Sequence, residues 1–123
     1  MKNELYTYKA KVLKCVDGDT VDVLIDLGFN TFLKQRIRLA GINTPESRTK
    51  REEEKILGLT AKYLLEQYLG EDVVIKTRKK GKYGRYLGIV YPSGKTLSAN
   101  EFLILNGLAL PYFGGKRAAF LYD

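Results

Sequence analysis

Histidine is absent from the 123 residues, and cysteine occurs once, as Cys15. Without histidine there is no Ser-His-Asp or Cys-His pairing, no imidazole-ligated zinc and no histidine general base. With a single thiol, neither an internal disulfide nor a Cys-x-x-Cys metal site can form, so Cys15 is read as a packing residue without chemistry. No apolar run approaches the ~18 residues that would suggest a membrane-spanning helix, and no membrane partner is expected. Any metal must be held by oxygen, which favours hard cations such as Ca²⁺ or Mg²⁺. Any general base must be Asp, Glu, Lys or Tyr. The opening Met1–Tyr6 carries no apolar stretch, so no signal peptide is read and a cytoplasmic location is expected. A mature secreted chain trimmed of its leader would begin the same way.

Charge is plentiful and one-sided. Lys and Arg number 21 against 14 Asp and Glu, a formal charge of +7. That balance points to a polyanionic partner, nucleic acid before anionic lipid. The length suits one domain, 1–123, and no linker, repeat or low-complexity tract divides it. Nothing in the pattern asks for more than a monomer.

Hydrophobic periodicity gives five strands and two helices. Tyr6–Val16 alternates loosely up to a turn at Asp17-Gly18. Val21, Val23 and Ile25 form a period-two apolar face that Leu27 extends, with a second turn at Gly28. Leu33, Ile37 and Leu39 make the buried face of a third strand, with Lys34, Arg36 and Arg38 as a row of cations opposite. After a polar loop, Glu52–Glu54 suit the positive end of a helix, and Leu57, Ala61, Leu64, Leu65 and Tyr68 share one helical face before a capping Gly70. Tyr63 and Tyr68 are read as core. Val73–Ile75 and Tyr86–Tyr91 are the fourth and fifth strands. Ser98-Ala99-Asn100-Glu101 is a capping box that opens a second helix to about Asn106, with Gly107 beyond. The fold class expected is α+β, mainly β. Its five-stranded OB-like barrel has one helix between strands three and four and another after strand five.

Three segments at strand ends could carry chemistry. Read alone, Asp17-Gly18-Asp19-Thr20 is a hairpin turn, Asn43-Thr44-Pro45-Glu46 a proline-containing loop, and Lys82-Tyr83-Gly84-Arg85 a basic hairpin tip. Strand ends of one small barrel converge, however. Together they would supply one strong oxygen ligand in Asp19, a carboxamide in Asn43, a further carboxylate in Glu46 and two guanidinium groups in Arg38 and Arg85. That inventory suits phosphodiester hydrolysis. The attacking water needs a base, and arginine forks match the oxygens on which negative charge develops.

These pieces, in order Val16–Val21, Arg38–Glu46 and Lys82–Arg85, with Asn106-Gly107-Leu108-Ala109 behind them, resemble the staphylococcal nuclease (thermonuclease) family over roughly Tyr8 to Tyr112. The resemblance implies a metal-dependent nuclease, an endonuclease cleaving DNA and RNA with little sequence demand from an OB-type barrel. Carried over residue by residue, Asp19 would ligate Ca²⁺ by its carboxylate and Thr44 by its backbone carbonyl. Asn43 stands in the second ligand position, where the best-known member has an acid. Mg²⁺ or another divalent cation is an alternative. Glu46 would be the general base, and Arg38 and Arg85 would clamp the scissile phosphate. Tyr83 and Tyr112 would contact the nucleotide. The sequence departs from the family pattern at Asn43, at Gly81 and in its short stretch after Tyr112.

Charge distribution adds a separate argument. Lys76, Arg78, Lys79, Lys80, Lys82 and Arg85 crowd residues 76–85 with no acid among them, and Arg48, Lys50 and Arg51 flank Glu46. Such clusters track phosphates without reading sequence. The rival reading is a nucleic-acid-binding barrel of the same ancestry that has lost catalysis, and Asn43 is the feature that points that way. A basic module for acidic proteins or lipid would explain the charge and not the three motifs.

Overall fold

The fold is seen in a computed structural model that describes residues 5–45, 51–78 and 86–112. Five strands close a barrel: β1 (Thr7–Asp17), β2 (Thr20–Asp26), β3 (Phe32–Leu39), β5 (Asp72–Thr77) and β6 (Tyr86–Pro92), in spatial order β1-β2-β3-β6-β5. All neighbours are antiparallel except β3 and β6, and β1 closes the ring by pairing with β5. Helix α1 (Glu52–Leu69) lies between β3 and β5, and α2 (Ala99–Leu105) follows β6. The expected barrel with its two helices is therefore present. Among the described residues no helix is long and apolar enough to cross a membrane.

β1 shows how the sequence closes the ring. Ala10 and Cys15 both face the core, although strict alternation would put residues five apart on opposite faces. Register shifts between Val12 and Lys14 and between Cys15 and Asp17 reset the phase and bend the strand. Val21, Val23, Ile25, Ile37, Leu39, Val73, Ile75 and Val90 complete the interior. Gly88 lies where β6 crosses to β3, and a Cβ there would stand 2.9 Å from Ile37 Cγ2 and 3.1 Å from Ile75 Cγ2. A side chain at position 88 would push the parallel pair apart.

Some expectations shift. Leu27 and Leu33 are exposed, because the β2–β3 hairpin overhangs the barrel before the core begins to cover it. The buried stripe of α1 is Gly58, Ala61, Leu65 and Leu69, so Leu57 and Tyr63 face outwards. Tyr68, read as core, is half-buried and packs against the core: its ring stacks on Phe102 at 3.9 Å and its hydroxyl donates to Leu97 O at 2.7 Å. Burial pushes the Tyr68 phenol above its ordinary pKa. The cationic row of β3 is exposed at Lys34 and Arg36. Arg36 makes a two-point pair with Asp22 at 2.8 and 3.1 Å, which holds that carboxyl below its usual range, and Arg38 turns towards the barrel end.

Both predicted caps form. Ser98 accepts from Glu101 N at 3.1 Å, and Gly70 ends α1 at φ 65°. Gly107 lies past α2 at φ 70°. A two-stranded ribbon, β4 (Ile42–Asn43) against β7 (Leu110–Pro111), lies outside the barrel and was absent from the sequence pattern.

Candidate active site

The β1–β2 hairpin ends in Gly18 and Asp19, with Asp17 paired to Thr20. Gly18 does not have positive φ, so the turn does not need glycine for its backbone. It needs glycine for space: an added Cβ would stand 2.9 Å from Ala61 Cβ on α1 and 2.9 Å from Thr44 Oγ1. That close approach seats the hairpin tip between α1 and the segment after β4. Leu39 N then donates to Asp19 O at 2.8 Å, so Asp19 is tied by its backbone to the end of β3.

Arg38 lies opposite Thr20 in the β2–β3 register, one residue from that tie. Its side chain is 13% exposed, as is that of Asp19. Nη1 donates to Leu39 O at 3.0 Å. Nη2 donates to Ile42 O at 2.9 Å and to Asn43 Oδ1 at 2.5 Å, and lies 3.5 Å from Asp19 Oδ2. The Tyr112 ring lies under the guanidinium, 5.8 Å from Cζ, because the β4–β7 ribbon and a bond from Tyr112 N to Gly41 O bring the chain back there. Asp19 Oδ1 accepts from Thr20 Oγ1 at 3.1 Å, and Oδ2 accepts from Thr44 N at 3.4 Å. Five of the predicted residues, Asp19, Arg38, Asn43, Thr44 and Tyr112, thus form one cluster. Glu46, Arg48, Lys50, Lys79, Lys80, Lys82, Tyr83 and Arg85 lie outside the described residues.

One contributor was read only as part of a capping box. Asn100 on α2 is 5% exposed, with Nδ2 donating to Ala40 O at 2.8 Å and Gly88 O at 3.1 Å and Oδ1 accepting from Val90 N at 3.2 Å. It ties the turn after β3 to β6 and so fixes the base of Arg38. The usable signal was an asparagine at the inward position beside the apolar Ala99 and Leu103.

Among the described residues no group of three or more His, Cys, Asp and Glu gathers. The oxygen donors at hand are the Asp19 carboxylate, the Asn43 amide oxygen and the Thr44 carbonyl, a set that suits a hard cation and carries one full negative charge. The side-chain oxygens of Asp19 and Asn43 already face a cationic nitrogen, so the spot between them attracts positive charge. It is the amide N–H of Thr44 that meets Asp19.

The small mixed barrel thus gathers a carboxylate, a guanidinium and an aromatic ring at one end. The chain belongs to the staphylococcal nuclease homologue family, whose model matches residues 36–121. The matched span contains Arg38, Asn43 and Thr44, and the Asp19 hairpin precedes it. The chain is 30% identical over 128 residues to a micrococcal nuclease of Shigella flexneri, a match covering 94% of this chain and 66% of that protein. It is 34% identical over 110 residues to an uncharacterized protein of Bacillus anthracis, covering 86% and 48%. An uncharacterized protein of Methanocaldococcus jannaschii is 33% identical over 128 residues, covering 85% and 59%. The chain thus spans about half to two thirds of the length of these relatives.

Proposed function

We propose that this domain is a divalent-cation-dependent nuclease that hydrolyses phosphodiester bonds of DNA or RNA with little sequence preference. The observation that carries this reading is the Asp19–Arg38–Asn43 cluster, held within 3.5 Å at the barrel end in a chain of the nuclease homologue family. Arg38 would meet the scissile phosphate, its fork matching two non-bridging oxygens as they gain charge. Arg85, just before β6 in the sequence, would do the same. Glu46 would take a proton from the attacking water, a carboxylate base in a chain without histidine. Tyr112, beside Arg38, offers a face for an unpaired base. Asp19, Asn43 and Thr44 would hold a Ca²⁺ or Mg²⁺ ion, which when bound neutralises charge on a phosphate oxygen. Lys79, Lys80, Lys82, Arg48 and Lys50 would track the backbone of the strand.

The neutral amide at position 43 favours a second reading, a barrel that binds nucleic acid without cutting it. Incubating plasmid DNA and RNA with the protein in Ca²⁺, in Mg²⁺ and in EDTA decides between them. Cation-dependent degradation supports the nuclease. Tight binding without degradation in either ion supports the binding barrel.

A further inference from the structure

One nitrogen of Arg38 touches both side-chain oxygens that the family pattern gives to a metal. Nη2 lies 2.5 Å from Asn43 Oδ1 and 3.5 Å from Asp19 Oδ2, and it also donates to Ile42 O. Nη1 is fixed by Leu39 O, and Tyr112 lies against the guanidinium. Arginine has donors only and stays charged at any accessible pH, so it cannot release these oxygens by losing a proton. It can release them only by moving.

We propose that Asn43 is a positioning residue for Arg38 and not a standing cation ligand. The guanidinium holds the place between Asp19 and Asn43 as an internal cation, and a divalent ion enters that place by exchange with it. This deepens the nuclease reading and rests on it. The neutral amide is what makes exchange workable. An aspartate at position 43 would add a full negative charge against the guanidinium and hold it as an ion pair. The amide holds Arg38 in register and lets it swing to a phosphate once an ion takes over the oxygens. The ion's arrival and the arginine's release are then one event, and cation affinity in the free protein is reduced by the work of displacing Arg38.

The test is Ca²⁺ titration by calorimetry on substrate-free wild type, Asn43→Leu, Arg38→Met and the double variant. Its outcome does not depend on whether nucleic acid is cut. Arg38→Met should bind Ca²⁺ about tenfold more tightly or better. Asn43→Leu should change the wild-type affinity by less than about threefold, yet cost about tenfold in the Arg38→Met background, where the amide oxygen has become available; that non-additivity is the signature of shared partners. In cleavage assays at saturating Ca²⁺, Asn43→Leu should lower kcat with little change in KM, and Asn43→Gln should restore part of it. A tenfold loss of affinity from Asn43→Leu with Arg38 present would make Asn43 a standing ligand and overturn the proposal. Equal Ca²⁺ affinity in wild type and Arg38→Met, or no binding in either, would also overturn it. Should Asn43→Leu not fold, Asn43→Asp replaces it. Its gain in affinity must be larger in the Arg38→Met background than in wild type, and equal gains refute the exchange. A wild type that cuts nothing removes the nuclease reading and leaves the calorimetric result to decide the exchange.

Discussion

Gly18 and Ala61 approach so closely that a methyl group on Gly18 would stand 2.9 Å from the Ala61 Cβ. The hairpin carrying Asp19 is therefore seated by helix packing, and the smallest possible enlargement should unseat it. Gly18→Ala should destabilise the protein by about 1–3 kcal/mol, the usual cost of overpacking, and Ala61→Gly on top of it should recover part of the loss. Urea denaturation measures both. A Gly18→Ala midpoint equal to wild type would mean that the hairpin tip has room to shift.

Asn100 satisfies three backbone groups at once. Asn100→Ala leaves them buried without that partner, and one unsatisfied group costs about 1–3 kcal/mol, so a loss of about 3 kcal/mol is expected. Because Ala40 follows the strand that carries Arg38, activity measured well below the melting temperature should fall too. Full activity in a folded Asn100→Ala protein would separate this asparagine from the site.

In the proposed nuclease, Arg38 and Arg85 act on the transition state. Removing one preorganised donor of this kind costs roughly 3–4 kcal/mol, on the order of 10²–10³ in rate. Arg38→Ala and Arg85→Ala should lose that much turnover while binding a single-stranded oligonucleotide within a far smaller factor. A folded variant that retains its turnover refutes the role of the arginine it lacks.

Oligonucleotide affinity should fall steeply with salt at constant Ca²⁺, with a slope of about −0.7 per phosphate neutralised on a single strand, and should vary little with base sequence. Replacing Lys79, Lys80 and Lys82 together by Gln should flatten the slope. Salt-independent binding would rule out a phosphate-tracking surface.

Burial pushes the Cys15 thiol from 9.0 up to about 12, with the Glu66 charge adding to the effect. The native state thus keeps its proton where the unfolded chain loses it. This contribution is complete below the unfolded thiol's range and disappears as pH rises from 9 towards 12. Wild type should lose more stability between these limits than Cys15→Val, the comparison removing the parallel effect of Tyr68. A disulfide reagent at pH 8 should label Cys15 at the rate of unfolding, and immediate labelling would show an accessible thiol.

Local rules in the sequence identified what local physics decides. Alternation marked Val21, Val23 and Ile25, and cap chemistry marked Ser98, Gly70 and Gly107, because each depends on neighbours within a few residues. The β4–β7 ribbon stayed hidden because two-residue strands have no period and Asn43 meets Leu110 from far along the chain. The exposed Leu27 and Leu33 were misassigned because alternation says which residues share a face and not where the barrel stops covering it. At the site, residue types named Asp19, Arg38 and Asn43 as neighbours, and the family resemblance added Thr44 and Tyr112. The sequence could not say that Asn43 would face the arginine, nor that Asn100 would anchor the turn from another helix.

The strand order has a consequence for how the molecule is made. β1, β2 and β3 are successive in the chain and pair as a meander, so Asp19 and Arg38 can be brought together while the rest of the polypeptide is still being synthesised. β6 is the last barrel strand to emerge, and it must insert between β3 and β5 to close the ring. Until then two strand edges stand open, a template for pairing with another nascent chain. Both the β1–β5 and the β3–β6 pairings join strands far apart in the chain, and Asn100, arriving just behind β6, ties that strand to the turn after β3.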